Sequence, residues 1–303
     1  MGDLIVDTPE IPERLLSEML SKKVAFFIGA GVSRLLGCPS WGKLAKLLVD
    51  CCYENGYIDI TSKQLLDQDD DPKKVITICH QIFVDNKDEA SFLLKIWGAF
   101  KGCKKKIDRY NVYNFLNEMD ALYITTNFDN HFNKQFLGGR LIHFFDKIEP
   151  TSIYRNKLYK IHGSLCDIKN SILTVPQYMN LYNNPAFKTF IERIFEEYTI
   201  IFIGYGMSEF ELLDFMITKL GKIDGTRHYI LRPYFSNQTE LFNLDKIYFN
   251  SMGVDVIGFS KDVNGYNQLY EVIEYWHKII TQTTPMLYDY ISEMEEIVDE
   301  YEG

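Results

Sequence analysis

Five consecutive apolar residues, Val24 to Ile28, run directly into Gly29-Ala30-Gly31-Val32-Ser33. An apolar run with no polar alternation predicts a strand covered on both faces, as inside a parallel sheet. The glycines predict a tight turn, with a helix from Val32 onward. Without Cβ atoms the backbone there can approach a pyrophosphate, and amides at a helix start point at such an anion. The third glycine of the dinucleotide fingerprint is absent, because Ser33 and Arg34 follow. Taken alone, the segment therefore also reads as a strand-to-helix turn with no ligand.

At 303 residues and 46% hydrophobic, the chain suits one large domain or two small ones with a sizeable core. Its net charge of −10 argues against a broad nucleic-acid surface. Lys101, Lys104, Lys105, Lys106 and Arg109 form one local basic cluster, which reads as a solvated loop or as a small patch. The six cysteines, Cys38, Cys51, Cys52, Cys79, Cys103 and Cys166, contain no C-x₂-C or C-x₄-C pair, so no zinc module and no other metal site is expected. Their scatter fits reduced thiols in a cytoplasmic protein. Met1 to Glu10 is acidic and lacks the apolar core of a signal peptide, and no apolar run is long enough for a membrane span.

Along the chain, Ile11 to Ser21 predicts a short amphipathic helix, with Pro12 in its first turn. Ser40 predicts the N-cap of a helix through Trp41, Leu44, Leu47 and Leu48. Asp67 to Asp71 predicts a loop closed by Pro72. Helical patterns follow over Lys73 to Phe100 and Tyr110 to Met119. The region 42–120 thus reads as a mainly helical lobe inserted between two strands. Further strands are expected at Ala121–Thr126, Leu141–Phe145, Leu158–Ile161, Thr199–Ile203, His228–Leu231 and Val254–Ile257, with a small extra one at Ser171–Val175. Helices are expected over Phe187–Tyr198, after Ser208, and over Tyr266–Ile280. Strands alternating with helices predict an α/β fold: a doubly wound, Rossmann-like parallel sheet whose ligands bind at the carboxyl ends of its strands.

Three such ends accompany the glycine turn: Thr125-Thr126-Asn127-Phe128-Asp129, Ile161-His162-Gly163-Ser164 and Gly204-Tyr205-Gly206-Met207-Ser208. Each has an ordinary reading beside the functional one. Asn127 and Asp129 suit a turn, His162 suits a core or surface position, and Gly204 and Gly206 suit close packing. In this order and spacing, however, the four segments resemble the NAD-binding core of sirtuins. Those proteins carry a G-A-G turn, a T-Q-N-I-D stretch, an H-G pair and a G-T-S turn. The T-T-N-F-D and F-I-G-Y-G forms here are closer to the divergent sirtuin-like domains of bacterial anti-phage defence proteins. The likeness covers roughly Val24 to Leu231.

The resemblance implies an NAD+-using enzyme that cleaves the nicotinamide–ribose bond through an oxocarbenium-like transition state. It implies that Asp129 holds the nicotinamide carboxamide and that Asn127 binds the ribose or orients a water. His162 would be the base toward the ribose hydroxyls or that water, its ordinary pKa of about 6.5 suiting proton transfer near neutrality. Gly29, Ala30, Gly31 and Ser33 would bind the phosphates with Thr126 beside them. Gly204, Tyr205, Gly206 and Ser208 would contact the adenosine half, Ser208 reading equally as a helix cap. Cys166 is the only cysteine between His162 and Gly204, whereas deacylating sirtuins carry four zinc-binding cysteines there. Pro39 is followed by Ser40-Trp41-Gly42-Lys43 rather than the family's acidic-aromatic-arginine run.

The leading expectation is an NAD+ hydrolase that depletes NAD during phage infection. A protein deacylase or ADP-ribosyltransferase, and a non-catalytic nucleotide-sensing module of a larger assembly, are the alternatives. A constitutive NAD+ hydrolase harms its host, so gating by a homo-oligomer (dimer or tetramer) or by a partner ATPase or sensor is expected. The segment 285–303 predicts an acidic amphipathic helix, with Leu287, Ile291, Met294, Val298 and Tyr301 on one face. That helix reads as docking on its own domain, as a subunit contact, or as a junction to a further domain.

Overall fold

The computed structural model describes residues 5–101, 103, 110–133, 141–143, 153, 155–205 and 228–283. Seven strands form one sheet: β1 (Val24–Ile28), β2 (Leu122–Thr125), β3 (Leu141–His143), β4 (Leu158–Lys160), β5 (Thr199–Ile203), β6 (His228–Tyr234) and β7 (Val254–Ser260). Their order is β3-β4-β2-β1-β5-β6-β7, and every pairing is parallel. The chain moves outward from β1 on one side, then returns to place β5 on its other side. β1/β5 is therefore the point where strand order reverses, the place where such sheets hold ligands.

All five residues of β1 and all five of β5 are buried, as their unbroken apolar runs predict. The pleat still sorts them. Ala25 and Phe27 join Ile200 and Phe202 in a core over one face, packed by Phe187, Phe190 and Ile194 of α9 (Pro185–Glu197). Val24, Phe26 and Ile28 join Ile201 and Ile203 over the other face. There they meet Leu15 and Met19 of α1 (Glu13–Leu20) and Val272, Ile273 and Trp276 of the helix over 268–283. Two covered faces make this an α/β doubly wound sheet.

Between β1 and β2 lie α2 (Ala30–Leu35), α3 (Trp41–Glu54), α4 (Ile60–Asp67), α5 (Pro72–Asp85), α6 (Glu89–Lys101) and α7 (Tyr113–Leu116). Helices α3, α5 and α6 build a separate core from Leu44, Leu48, Val75, Ile76, Phe83, Phe92 and Ile96. The Ser40 side chain accepts from the Lys43 amide at 3.2 Å, capping α3 as expected. Asp71 caps α5 by accepting from the Lys73 and Lys74 amides, with Pro72 in the first turn. Phe128, in the loop after β2, ties this helical lobe to the sheet: it belongs to the lobe core, with Leu165 and Leu173 from beyond β4, and meets Trp41 edge-on at 5.7 Å.

Several local expectations need correction. The first helix after β1 begins at Ala30 rather than Val32, with Gly29 as its N-cap. Pro12 precedes α1 as its N-cap instead of lying in its first turn. Asp67 ends α4, so the acidic loop is shorter than Asp67–Asp71. Only Tyr113–Leu116 of the Tyr110–Met119 segment is α-helical. Ser171–Val175 is not a strand: Ser171 Oγ is committed to the turn at Ser164, and Val175 opens α8 (Val175–Asn183). The expected helices after Ser208 and over 285–303 lie outside the described residues, as do Lys104, Lys105, Lys106 and Arg109.

Candidate active site

The turns after β1 and β5 interlock backbone to backbone. The Gly29 amide donates to the Ile203 carbonyl at 2.9 Å and the Gly31 amide to the Gly204 carbonyl at 2.7 Å. A Cβ on either Gly29 or Gly31 would stand 2.6 Å from the Gly204 oxygen. Gly204 has φ of +59°, and a Cβ there would meet the Val32 amide nitrogen at 2.5 Å. Packing alone thus requires glycine at all three positions. Gly31 and Gly204 also border a cleft of about 940 Å³, together with Ala30, Thr126 and Tyr205. Gly29 does not border it.

The end of β2 supplies a polar cluster. The Thr125 hydroxyl donates to the Ile28 carbonyl at 2.9 Å and accepts from the Asn127 amide at 3.1 Å. Asn127 Nδ2 donates to the Gly29 carbonyl at 2.9 Å. Its Oδ1 makes no hydrogen bond among the described residues. Ser33, brought over by the first turns of α2, donates through Oγ to Asp129 Oδ2 at 2.5 Å. Asp129 Oδ1 accepts from the His131 amide at 3.0 Å. A carboxylate has about four acceptor sites, so Asp129 keeps capacity for a further donor. Ser33, Asn127 and Asp129 border a side cavity of about 20 Å³, roofed by Trp41, Leu44 and Phe100 of the lobe. The cavity is sized for about one water. Ala30, Trp41 and Thr126 border both this cavity and the large cleft, so the two adjoin.

His162 stands apart from this cluster. It follows β4, is 1% exposed, and borders neither cavity. Its Nε2 lies 3.1 Å from the Tyr182 hydroxyl, and its ring meets Tyr178 edge-on at 4.9 Å. The Gly163 beside it has φ of +98° and lies against Ser171. Gly206 and Ser208 lie outside the described residues.

A family profile described as SIR2-like domain matches residues 121–257. Over that segment the chain is similar to SIR2-like domains. It is also similar to Defense-associated sirtuin 2 of Bacillus subtilis, at 26% identity over 258 residues. That match takes in 82% of this chain and 24% of the relative, so the chain spans about a quarter of that protein's length. The profile covers Thr126, Asn127, Asp129, His162 and Gly204, while the Gly29–Gly31 turn precedes it and joins it through the β1/β5 interlock.

Two buried residues of this candidate site escaped sequence reasoning. Lys160, the last residue of β4, donates to the Asp129 carbonyl, to the Phe128 carbonyl at 3.4 Å and to Asn133 Oδ1 at 3.2 Å. Burial pulls its pKa down to about 8, against the opposing pull of Asp129. Lysine inside an apolar strand end was the available signal. Tyr113 places its hydroxyl 3.4 Å from Ser33 Oγ and 3.5 Å from Asn127 Nδ2. Burial first, then the Asp129 charge, push its phenol well above the ordinary range, so it stays protonated. Nothing in the sequence around Tyr113 distinguishes it from a core tyrosine. Among the described residues no group of three or more His, Cys, Asp or Glu side chains is placed to hold a metal, and no helix is long and apolar enough to cross a membrane.

Proposed function

We propose that this chain hydrolyses NAD+ to nicotinamide and ADP-ribose, in anti-phage defence. The supporting observation is the union of Ser33, Asn127 and Asp129 at one cavity adjoining the cleft at the β1/β5 reversal. In this reading the pyrophosphate lies over Ala30 and Gly31. Asp129, oriented by Ser33 and His131, accepts from the nicotinamide amide. Asn127 Oδ1 accepts from the attacking water or a ribose hydroxyl. The water oxygen bonds to C1′, the C1′–N bond breaks, and nicotinamide departs neutral with the bonding pair. The water's proton passes to His162, which borders neither cavity here and so must leave Tyr182 and move toward Asn127 when substrate is bound. Catalytic hydrogen bonds commonly tighten only with substrate bound.

The side cavity is too small for a nicotinamide ring, so entry requires Trp41, Leu44 or Phe100 to withdraw. Those residues belong to the lobe whose core also holds Phe128, between Asn127 and Asp129. Gating in this account acts through the lobe, set by self-assembly into a dimer or tetramer or by a partner ATPase or sensor. Defense-associated sirtuin 2 is named for defence, and that role comes to this chain as part of the proposal. The test is chromatography of NAD+ after incubation with pure protein, alone, with a co-expressed neighbour, and with an acetylated peptide. Nicotinamide with free ADP-ribose supports hydrolysis. Loss of NAD+ only when the peptide is deacylated supports the deacylase instead.

A further inference from the structure

Lys160 is a buried charge beside the site, and the proposed reaction gives it no part. It ends β4 and pairs in register with Thr125, the last residue of β2. The ladder between these strands closes there, with the Ile161 amide donating to the Thr125 carbonyl at 3.1 Å. Past that point the chain from β2 carries Asn127, Phe128 and Asp129. The Lys160 ammonium takes hold of it where the ladder stops. It donates to the Asp129 carbonyl, to the Phe128 carbonyl at 3.4 Å and to Asn133 Oδ1 at 3.2 Å. The Phe128 carbonyl also accepts from the Leu165 amide at 2.9 Å. An ammonium has three donors, and these acceptors use all of them.

A buried ammonium is costly unless it is paired and hydrogen-bonded. Here burial disfavours the charged form, and the groups that face it favour it: Asp129 first, then Cys166 and Cys38. Asp129 is thereby held at both ends. Ser33 and His131 donate to its carboxylate, and Lys160 donates to its carbonyl. Lys160 borders neither the cleft nor the side cavity, whereas Phe128 and Asp129 border the cavity. Its influence on a bound molecule therefore runs through the chain it grips.

We infer that Lys160 is a positioning residue, whose ammonium fixes the chain at Asp129 so that the carboxylate meets the nicotinamide amide. This rests on the proposed role of Asp129. The test is calorimetric titration of NAD+ into the wild type, Lys160→Met, Asp129→Ala and the double variant. Lys160→Met should bind about ten- to hundredfold more weakly, the value of a charge-assisted hydrogen bond. In the Asp129→Ala background the same substitution should cost less than about threefold, because two coupled residues are not additive. Equal losses in both backgrounds, or no loss in either, overturn the inference alone. Failure of the wild type to bind NAD+, or native affinity in Asp129→Ala, overturns the reading of Asp129 and the inference with it.

A second readout needs no substitution at Lys160. Burial brings its pKa down to about 8, so the ammonium is complete well below that pH and is lost as pH rises through it. Wild-type affinity for NAD+ should fall between about pH 7 and pH 9.5. Cys166→Ser, which removes the exposed thiol facing Lys160, should leave that fall in place. Lys160→Arg, which keeps its charge throughout, should abolish it. A flat wild-type profile, a fall that disappears with Cys166, or a fall retained in Lys160→Arg shown to be folded by circular dichroism overturns the inference. The first two outcomes decide even where the Lys160 variants fail to fold.

Discussion

The Ser33 hydroxyl reaches Asp129 Oδ2 across 2.5 Å, so the turn after β1 orients the carboxylate after β2. Neither side chain is exposed to bulk water. A buried hydrogen bond to a charged group contributes roughly 1.5–3 kcal/mol, and its loss leaves the carboxylate short of a donor. Ser33→Ala should lower unfolding free energy by about that amount in urea titrations and reduce NAD+ turnover about tenfold. An unchanged stability and rate would mean that Ser33 does not position Asp129.

The glycine interlock makes a sharper prediction. A Cβ at Gly31 would press on the backbone of Gly204, and neither chain can move without disturbing β1 or β5. Gly31→Ala should cost about 1–3 kcal/mol in stability, as overpacking does. It should also weaken NAD+ binding, measured by calorimetry. A variant with native stability and native affinity would refute the interlock as a constraint.

The parts of the fold legible in the sequence are those whose burial is symmetric. β1 and β5 are buried on both faces and read as unbroken apolar runs. α4 has no buried residue, so it carries no apolar periodicity to read. The helix Thr239–Asn250 buries Phe242 and Phe249 but leaves Leu244 63% and Ile247 70% exposed, which blurs its stripe. β6 and β7 continue three residues beyond their apolar runs, through Arg232-Pro233-Tyr234 and Gly258-Phe259-Ser260. Pro233 is tolerated because β5 pairs with β6 only as far as Ile230, leaving one neighbour past that point. In the candidate site, strand ends and their order pointed to Asn127 and Asp129, which the fold places beside Ser33. Tyr113 and Lys160 reach them only through tertiary packing, which no local pattern records.

His228 gives a pH dependence. Its Nδ1 accepts from the Ile200 amide at 3.0 Å, and burial pulls its pKa from 6.5 down to about 4. Between those values the unfolded chain binds the proton and the folded chain does not. Stability is therefore full above about pH 6.5 and is lost as pH falls toward 4, by about 3 kcal/mol in total. His228→Asn keeps an acceptor for Ile200 and removes the titration. Urea titrations at pH 7.5 and pH 5 should show a smaller acid loss in the variant. An identical loss would place the acid sensitivity elsewhere.

For His162, the account requires a base that comes into play when Tyr182 releases it. His162→Ala should fold and lose NAD+ turnover by about 10²–10⁴, the range of a lost general base. Wild-type turnover in the folded variant would remove His162 from the mechanism and leave Asn127 to orient the water unaided.

The most direct measurement is release of labelled nicotinamide from NAD+ carrying the label in its nicotinamide ring, comparing the wild-type chain with Asp129→Ala under the same assembly conditions. The account predicts free nicotinamide and ADP-ribose in equal amounts from the wild type. It predicts at least about hundredfold slower release from the variant, which loses the carboxylate at the leaving group. Equal release from both proteins, or intact NAD+ with the wild type alone and with every co-expressed neighbour, would contradict it.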